Sequence, residues 1–132
     1  DIRGFITNRC MYALMREAFH LVEEGYATVE DVDRSLRNDL GYWITFAGPF
    51  RYMDLTGIPA YEAVMRDLFP ELCNDTKVPT LISKLVESGA RGVSNCQGFY
   101  PYTKKQARGW EKRFLEFSYE IRALAKRYAE NS

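Results

Sequence analysis

Asn8 is the residue whose type and position most invite chemistry. It stands between Thr7 and Arg9 at the start of a long apolar segment. Asparagine competes with the backbone for hydrogen bonds and is a poor residue for a helix interior. Its carboxamide can donate through NH2 to a substrate oxygen, or accept through C=O and so orient a catalytic imidazole. The plain alternative is a helix cap, and the residue taken alone favours the cap. The second candidate is the pair of segments Gly48-Pro49-Phe50 and Asp54-Leu55-Thr56-Gly57. They read either as a tight corner between helices or as a pocket wall, where small residues let a ligand approach the backbone. On the pocket reading Gly48, Pro49 and Phe50 are substrate-binding candidates.

Other chemistry is missing from the sequence. His20 is the single histidine, so a triad would have no other imidazole for its base. Near the end of the first helical segment, a cationic His20 suits the helix dipole, and we read it as an ordinary surface or half-buried residue. There is no G-x-G-x-x-G, P-loop, H-E-x-x-H or C-x-x-C, so no nucleotide or metal site is written in local sequence. Cys10, Cys73 and Cys96 are far apart and odd in number, which does not suit a disulfide framework and points to a reducing, cytoplasmic setting.

Lys plus Arg equals Asp plus Glu, 18 against 18, without the basic excess expected of a nucleic-acid binder. No apolar run approaches the roughly 20 residues that cross a bilayer, so no membrane partner is expected. The start at Asp1, without Met or a signal-like stretch, reads as a fragment or processed product. Aromatic residues make up 14% of the chain. That is enough ring area for a domain of 132 residues to bury part of it against a partner.

Helical spacing dominates. Segment 5–24 carries two apolar stripes, which predicts neighbours on both sides, and Gly25 is a plausible stop. Thr28 can cap a helix whose Val29, Val32, Leu36 and Leu40 recur at 3, 4 and 4, ending near Gly41. Segment 42–48 reads as a buried connector or helical turn. Pro49 opens a short helix that ends at Gly57. Another helix runs from Pro59 to about Leu68 with Tyr61, Val64, Met65 and Leu68 inward. A loop spans 70–78, and Pro79 starts a helix that stops at Gly89. Segment 89–102 is the longest irregular stretch. From 103 to 128, Trp110, Phe114, Phe117, Ile121, Leu124 and Tyr128 recur at 4, 3, 4, 3 and 4. That seam is core or, in part, the face of a symmetric dimer. The expectation is one all-α domain over 1–132, with about five to seven helices and a long C-terminal helix.

Several of these residues together resemble the C-terminal domain of the 3-hydroxyacyl-CoA dehydrogenase family, in its 3-hydroxybutyryl-CoA dehydrogenase-like form. The matching pieces are Gly4-Phe5-Ile6-Thr7-Asn8-Arg9, Glu17-Ala18, Gly25-Tyr26-Ala27, Asp31-Val32-Asp33, Gly41, Gly48-Pro49-Phe50 and Asp54-Leu55-Thr56-Gly57. Their order and spacing fit over residues 4–58. Beyond that the helix count fits, as does Gly98-Phe99-Tyr100. The resemblance implies a helical domain like the C-terminal domain of 6-phosphogluconate dehydrogenase. It also implies a preceding Rossmann domain, absent from this chain, that binds NAD and carries the catalytic His and Glu. No cofactor and no metal is then expected in this chain. By the same resemblance Asn8 is the catalytic carboxamide that helps position that His and the substrate oxygen. The domain would also supply part of the acyl-CoA cleft and most of a homodimer contact.

The long final helix and Pro101-Tyr102-Thr103 depart from shorter family members. Relatives of similar build act on hydroxy acids that are not CoA esters. Two other readings therefore stand beside the first: a stand-alone helical association module, and a dehydrogenase of non-CoA hydroxy acids.

Overall fold

The computed structural model describes residues 2–129. Six α-helices follow one another: α1 (Phe5–Glu23), α2 (Val29–Asn38), α3 (Leu40–Thr56), α4 (Ile58–Leu68), α5 (Thr80–Glu87) and α6 (Lys104–Tyr128). Short 3-10 helices lie at Phe69–Glu71 and Val93–Asn95. Among the described residues there is no strand, only isolated bridges of Gly92 with Gln97 and Gln97 with Pro101. The chain divides into two compact units, Asp1–Leu81 and Ile82–Ser132.

In the first unit consecutive helices pack in series: α1 on α2, α2 on α3, α3 on α4. Val32 of α2 is buried. The start of α2 follows from its residues. Thr28 accepts from the Asp31 N–H at 3.1 Å, and the Asp31 carboxylate accepts from the Thr28 N–H at 3.1 Å. This reciprocal box satisfies donors that the first helical turn leaves over. The break between α2 and α3 lies at Asp39 (φ −124°, ψ −82°), just before Gly41, so that Leu40 belongs to α3. Gly41 is inside a helix, which glycine tolerates at a modest cost. Segment 42–48 is accordingly helical, and it is no buried connector: Tyr42, Ile44 and Phe46 are exposed. On α4, Tyr61 and Met65 are half-buried as expected, whereas Val64 and Leu68 face outward.

Two carboxylates of α1 fasten the segment between α4 and α5. Glu17 Oε2 accepts from the Cys73 N–H and Glu23 Oε1 from the Leu81 N–H, both at 2.7 Å. Pro79 precedes α5 and has no side-chain acceptor for the helix's free N–H groups. Glu23 supplies one from another helix.

In the second unit the loop before α6 is closed by its own polar groups. The Gly92 N–H donates to the Gln97 carbonyl at 2.7 Å, and the Gln97 N–H to the Gly92 carbonyl at 3.1 Å. Asn95 accepts from the Arg91 N–H at 3.0 Å and donates to the Gly89 carbonyl at 2.8 Å. A Cβ on Gly98 would meet Gly92 Cα at 3.2 Å, so the loop's two limbs approach too closely for a side chain there. Thr103 and Gln106 box the start of α6. Ala107 is buried, and α6 packs on the 3-10 helix Val93–Asn95. Along the apolar seam Trp110, Phe114, Phe117, Leu124 and Tyr128 are all exposed. The spacing therefore forms a face that this chain leaves open.

The hydrogen bonds from the Thr28 backbone and hydroxyl, helped by Arg34, hold the Asp31 carboxyl below the usual carboxylate range, against slight desolvation. A depressed folded value means the carboxylate's stabilisation is complete at neutral pH and is lost as pH falls through that value. Thr28→Ala should cost on the order of 1 kcal/mol and return Asp31 toward its ordinary titration. Thermal unfolding and an NMR titration of Asp31 check both; an unmoved Asp31 would refute the box as the cause.

Candidate functional site

The first turn of α1 carries the sequence candidate. Gly4 caps the helix from the left-handed region (φ 92°), and Phe5 follows at φ 49°. A non-glycine residue there carries local backbone strain of about 1 kcal/mol. Arg9, one turn on, reaches back so that its Nη1 donates to the Arg3 carbonyl at 3.4 Å. A Cβ on Gly4 would lie 3.3 Å from Arg9 Cγ. Arg9 thus forms a local clasp back onto the Arg3 carbonyl at the entry to α1, and Asn8 lies on the turn between them.

Asn8 is the fourth residue of α1, past the cap position at Gly4, and α1 has no side-chain cap hydrogen bond. The cap explanation is therefore excluded. Asn8 is exposed. Helical spacing places Met11, Tyr12 and Met15 on its face, and all three are exposed as well. The carboxamide lies in an uncovered apolar stripe.

The second candidate sits at a bend. Gly48 (φ 71°, ψ 173°) breaks α3 into two helical pieces, and Pro49 opens the second. The positive φ is why glycine stands there, and proline needs no N–H partner in a first turn. Across the bend the rings of Trp43 and Tyr52 stack with centroids 4.1 Å apart and planes 11° from parallel. Thr56 Oγ1 donates to the Tyr52 carbonyl at 2.8 Å and lies 2.7 Å from the Tyr61 hydroxyl. These contacts brace the α3–α4 corner at Gly57. Phe50 points away from them, 80% exposed. The tight-corner reading thus describes the local structure, with Phe50 projecting from it.

The structure does not gather the two candidates. α1 and α3 do not pack directly on each other, so Asn8 and the Gly48–Phe50 bend stand apart. His20 is half-buried near the end of α1. The three cysteines are unpaired. No group of three metal-ligating side chains occurs among the described residues, and no helix is long and apolar enough to cross a membrane. Sequence reasoning gave Glu17 no role beyond the resemblance and missed Glu23. The signal was present at Pro79, a helix start without its own cap.

Residues 4–102 match the family described as 3-hydroxyacyl-CoA dehydrogenase, C-terminal domain. The chain belongs to that family. It is 33% identical over 108 residues to 5-formyl-3-hydroxy-2-methylpyridine 4-carboxylate 5-dehydrogenase of Mesorhizobium japonicum, covering 82% of this chain and 35% of the relative. It is also 33% identical over 103 residues to 3-hydroxybutyryl-CoA dehydrogenase of Mycobacterium tuberculosis (77% and 35%). With L-carnitine dehydrogenase of Pseudomonas putida it shares 33% over 105 residues (74% and 32%). The chain thus spans about a third of the length of these relatives.

A crystal structure of a 5-formyl-3-hydroxy-2-methylpyridine 4-carboxylic acid 5-dehydrogenase, described as an NAD+-dependent dismutase, superposes with TM-score 0.90 at 29% identity. That match covers 96% of this chain and 41% of the other. The all-α fold with its long last helix is therefore the architecture of a C-terminal domain in dehydrogenases.

The clasp at the α1 entry gives a direct test. Gly4→Ala forces a side chain into the left-handed region and onto Arg9. It should destabilise the protein by about 1–2 kcal/mol, read as a lower melting temperature. An unchanged melting temperature would show that the entry turn tolerates a Cβ.

Proposed function

We propose that this chain is the C-terminal domain of an NAD-dependent 3-hydroxyacyl-CoA dehydrogenase of fatty-acid metabolism, contributing to the acyl-CoA cleft and to a homodimer. The observation that carries the reading is Asn8. It stands in the Gly4-to-Arg9 clasp of a dehydrogenase-family domain, on an open apolar face, with no capping duty. Its NH2 would donate to the oxygen at the substrate's C3, and its C=O would accept from a catalytic imidazole supplied by a preceding domain. Gly48, Pro49 and Phe50 would form part of the acyl-CoA wall, with Phe50 as its projecting ring.

The described residues form helices and loops with no strand among them, whereas a dinucleotide cradle is built on a strand–glycine turn–helix unit. NAD, which supplies the hydride chemistry, would be held by a Rossmann domain outside this chain. Three unpaired cysteines suit a reducing compartment such as the cytoplasm.

A second reading has support of its own. Two of the relatives are named for substrates that are not CoA esters, a pyridine carboxylate and L-carnitine. On that reading the same Asn8 would serve a free hydroxy acid. Turnover of 3-hydroxybutyryl-CoA by the full-length protein with NAD supports the first reading. Turnover of L-carnitine or a pyridine carbinol carboxylate, without activity on the thioester, supports the second.

Two outcomes are expected on either reading. Residues 1–132 alone should not turn over acetoacetyl-CoA with NADH in a spectrophotometric assay, and measurable turnover would refute the division of labour. In the full-length enzyme, Asn8→Ala should lower kcat by roughly 10- to 1,000-fold, the scale of one lost positioning donor. Unchanged kinetics in a folded variant would remove Asn8 from the site.

A further inference from the structure

Asn8 is the first of three polar side chains that climb one side of α1. Tyr12 and Arg16 follow at the helical spacing i+4 and i+8. Each stands about 6 Å along the axis from the one before. All three are exposed. Their donors differ in kind: an amide, a phenol and a guanidinium. Side chains in a helix lean toward its N-terminus, so a long one such as Arg16 covers the turn before it, which here bears Tyr12.

Arg16 lacks a carboxylate of its own. Arg34 pairs with Asp31, Arg66 with Glu62 and Lys112 with Glu116, each one turn away on the same helix. The residues one turn from Arg16 are Tyr12, Ala13, Phe19 and His20, none of them acidic. The carboxylates of α1, Glu17 and Glu23, are engaged by the Cys73 and Leu81 N–H groups. Among the described residues Arg16 makes no ion pair and no hydrogen bond. Arg9 is nearer to Asn8, but its guanidinium turns back to the Arg3 carbonyl.

We propose that Arg16, with the Tyr12 hydroxyl beside it, binds a carboxylate on the substrate whose hydroxyl oxygen Asn8 holds. The substrate class is then a free hydroxy acid, with its acid group a few bonds from the reacting carbon. This assignment rests on Asn8 as the site's carboxamide, which both readings above share, and it takes the second of them further.

Charge separates the two kinds of substrate. At the end of the same short chain a 3-hydroxyacyl thioester carries a neutral carbonyl, and the free acid carries a carboxylate. A guanidinium covered by another domain without an anion is costly, because its charge leaves water uncompensated. A carboxylate restores the balance through two parallel N–H···O bonds. The phosphates of CoA are anionic too, but they lie at the far end of the pantetheine arm. A residue about two turns from Asn8 is placed for the near end of the substrate.

The test uses the full-length protein with NAD. It is assayed on 3-hydroxybutyrate, L-carnitine and a pyridine carbinol carboxylate, each beside its methyl ester, and on 3-hydroxybutyryl-CoA. At least one free acid should exceed its ester in kcat/KM by about tenfold or more. Arg16→Gln should raise KM for that acid about 10- to 100-fold, the scale of a lost hydrogen bond between charged groups, with little change in kcat and none in the ester's KM. Arg16→Lys should recover part of the loss, and Tyr12→Phe should raise the same KM about threefold. Asn8→Ala, by contrast, should act on kcat for every substrate.

Equal turnover of acid and ester, or an Arg16→Gln variant that weakens both alike, overturns the carboxylate role and leaves Asn8 in place. Turnover of the thioester alone, indifferent to Arg16→Gln, overturns it in favour of the first reading. A fall in kcat with KM unmoved makes Arg16 a partner of the neighbouring domain and overturns it as well. An active parent whose kcat is unchanged in Asn8→Ala removes the reading on which the assignment rests. A folded, NAD-bound parent inactive on every substrate overturns both.

Discussion

Apolar surface that this chain does not cover constrains everything else about it. Val32 and Ala107 are the buried hydrophobic residues among those described, while Phe5, Ile6, Tyr42, Phe50, Phe114 and Tyr128 are among the many exposed. Removing a large apolar side chain from water is worth about 1.5–3 kcal/mol. A stretch of helices leaving that many rings and branched chains in solvent gives up most of the driving force available to it. Nothing among the described residues covers those side chains within their own unit. The chain spans about a third of its relatives' length.

With so little core, the described fold leans on polar fastenings at helix ends. Boxes at Thr28 and Thr103 close the starts of α2 and α6. Glu17 and Glu23 reach from α1 to backbone N–H groups 56 and 58 residues away. A carboxylate on a backbone N–H is a charge-assisted bond, stronger than a neutral one, and here it acts where packing is thin. Asn95 plays the same part in the loop before α6 by satisfying a carbonyl and an N–H at once. These bonds set directions for the helices. They do not replace the apolar burial.

The helices themselves were legible because spacing, glycine stops and proline starts are local signals. Thr28, Pro49, Gly57 and Thr103 mark boundaries in the sequence and in the structure alike. Asp39 was not legible. It ends α2 through an unusual ψ, with no proline or glycine to announce it. The aromatic segment after it has no periodic signature separating a turn from a helix; in the structure it is helical and packs on α2. Burial failed for a different reason. The seam of α6 encodes that something apolar should lie against it, and a repeat carries no address for what that something is. At the candidate site, Asn8 was visible as an anomaly. Its type left a cap open, and only the cap at Gly4 removed that choice.

Asn8 and the exposed face around it are better understood together than apart. A carboxamide in water exchanges its hydrogen bonds with solvent and positions nothing. The same group, covered by a partner that buries Met11, Tyr12 and Met15, would sit where the dielectric is low and a hydrogen bond is electrostatically stronger. One covering event would then recover the stabilisation that the bare helix lacks and give the amide its reach over a substrate oxygen. If the proposed role of Asn8 holds, a turn already held by Arg9 on the Arg3 carbonyl would leave docking less to order.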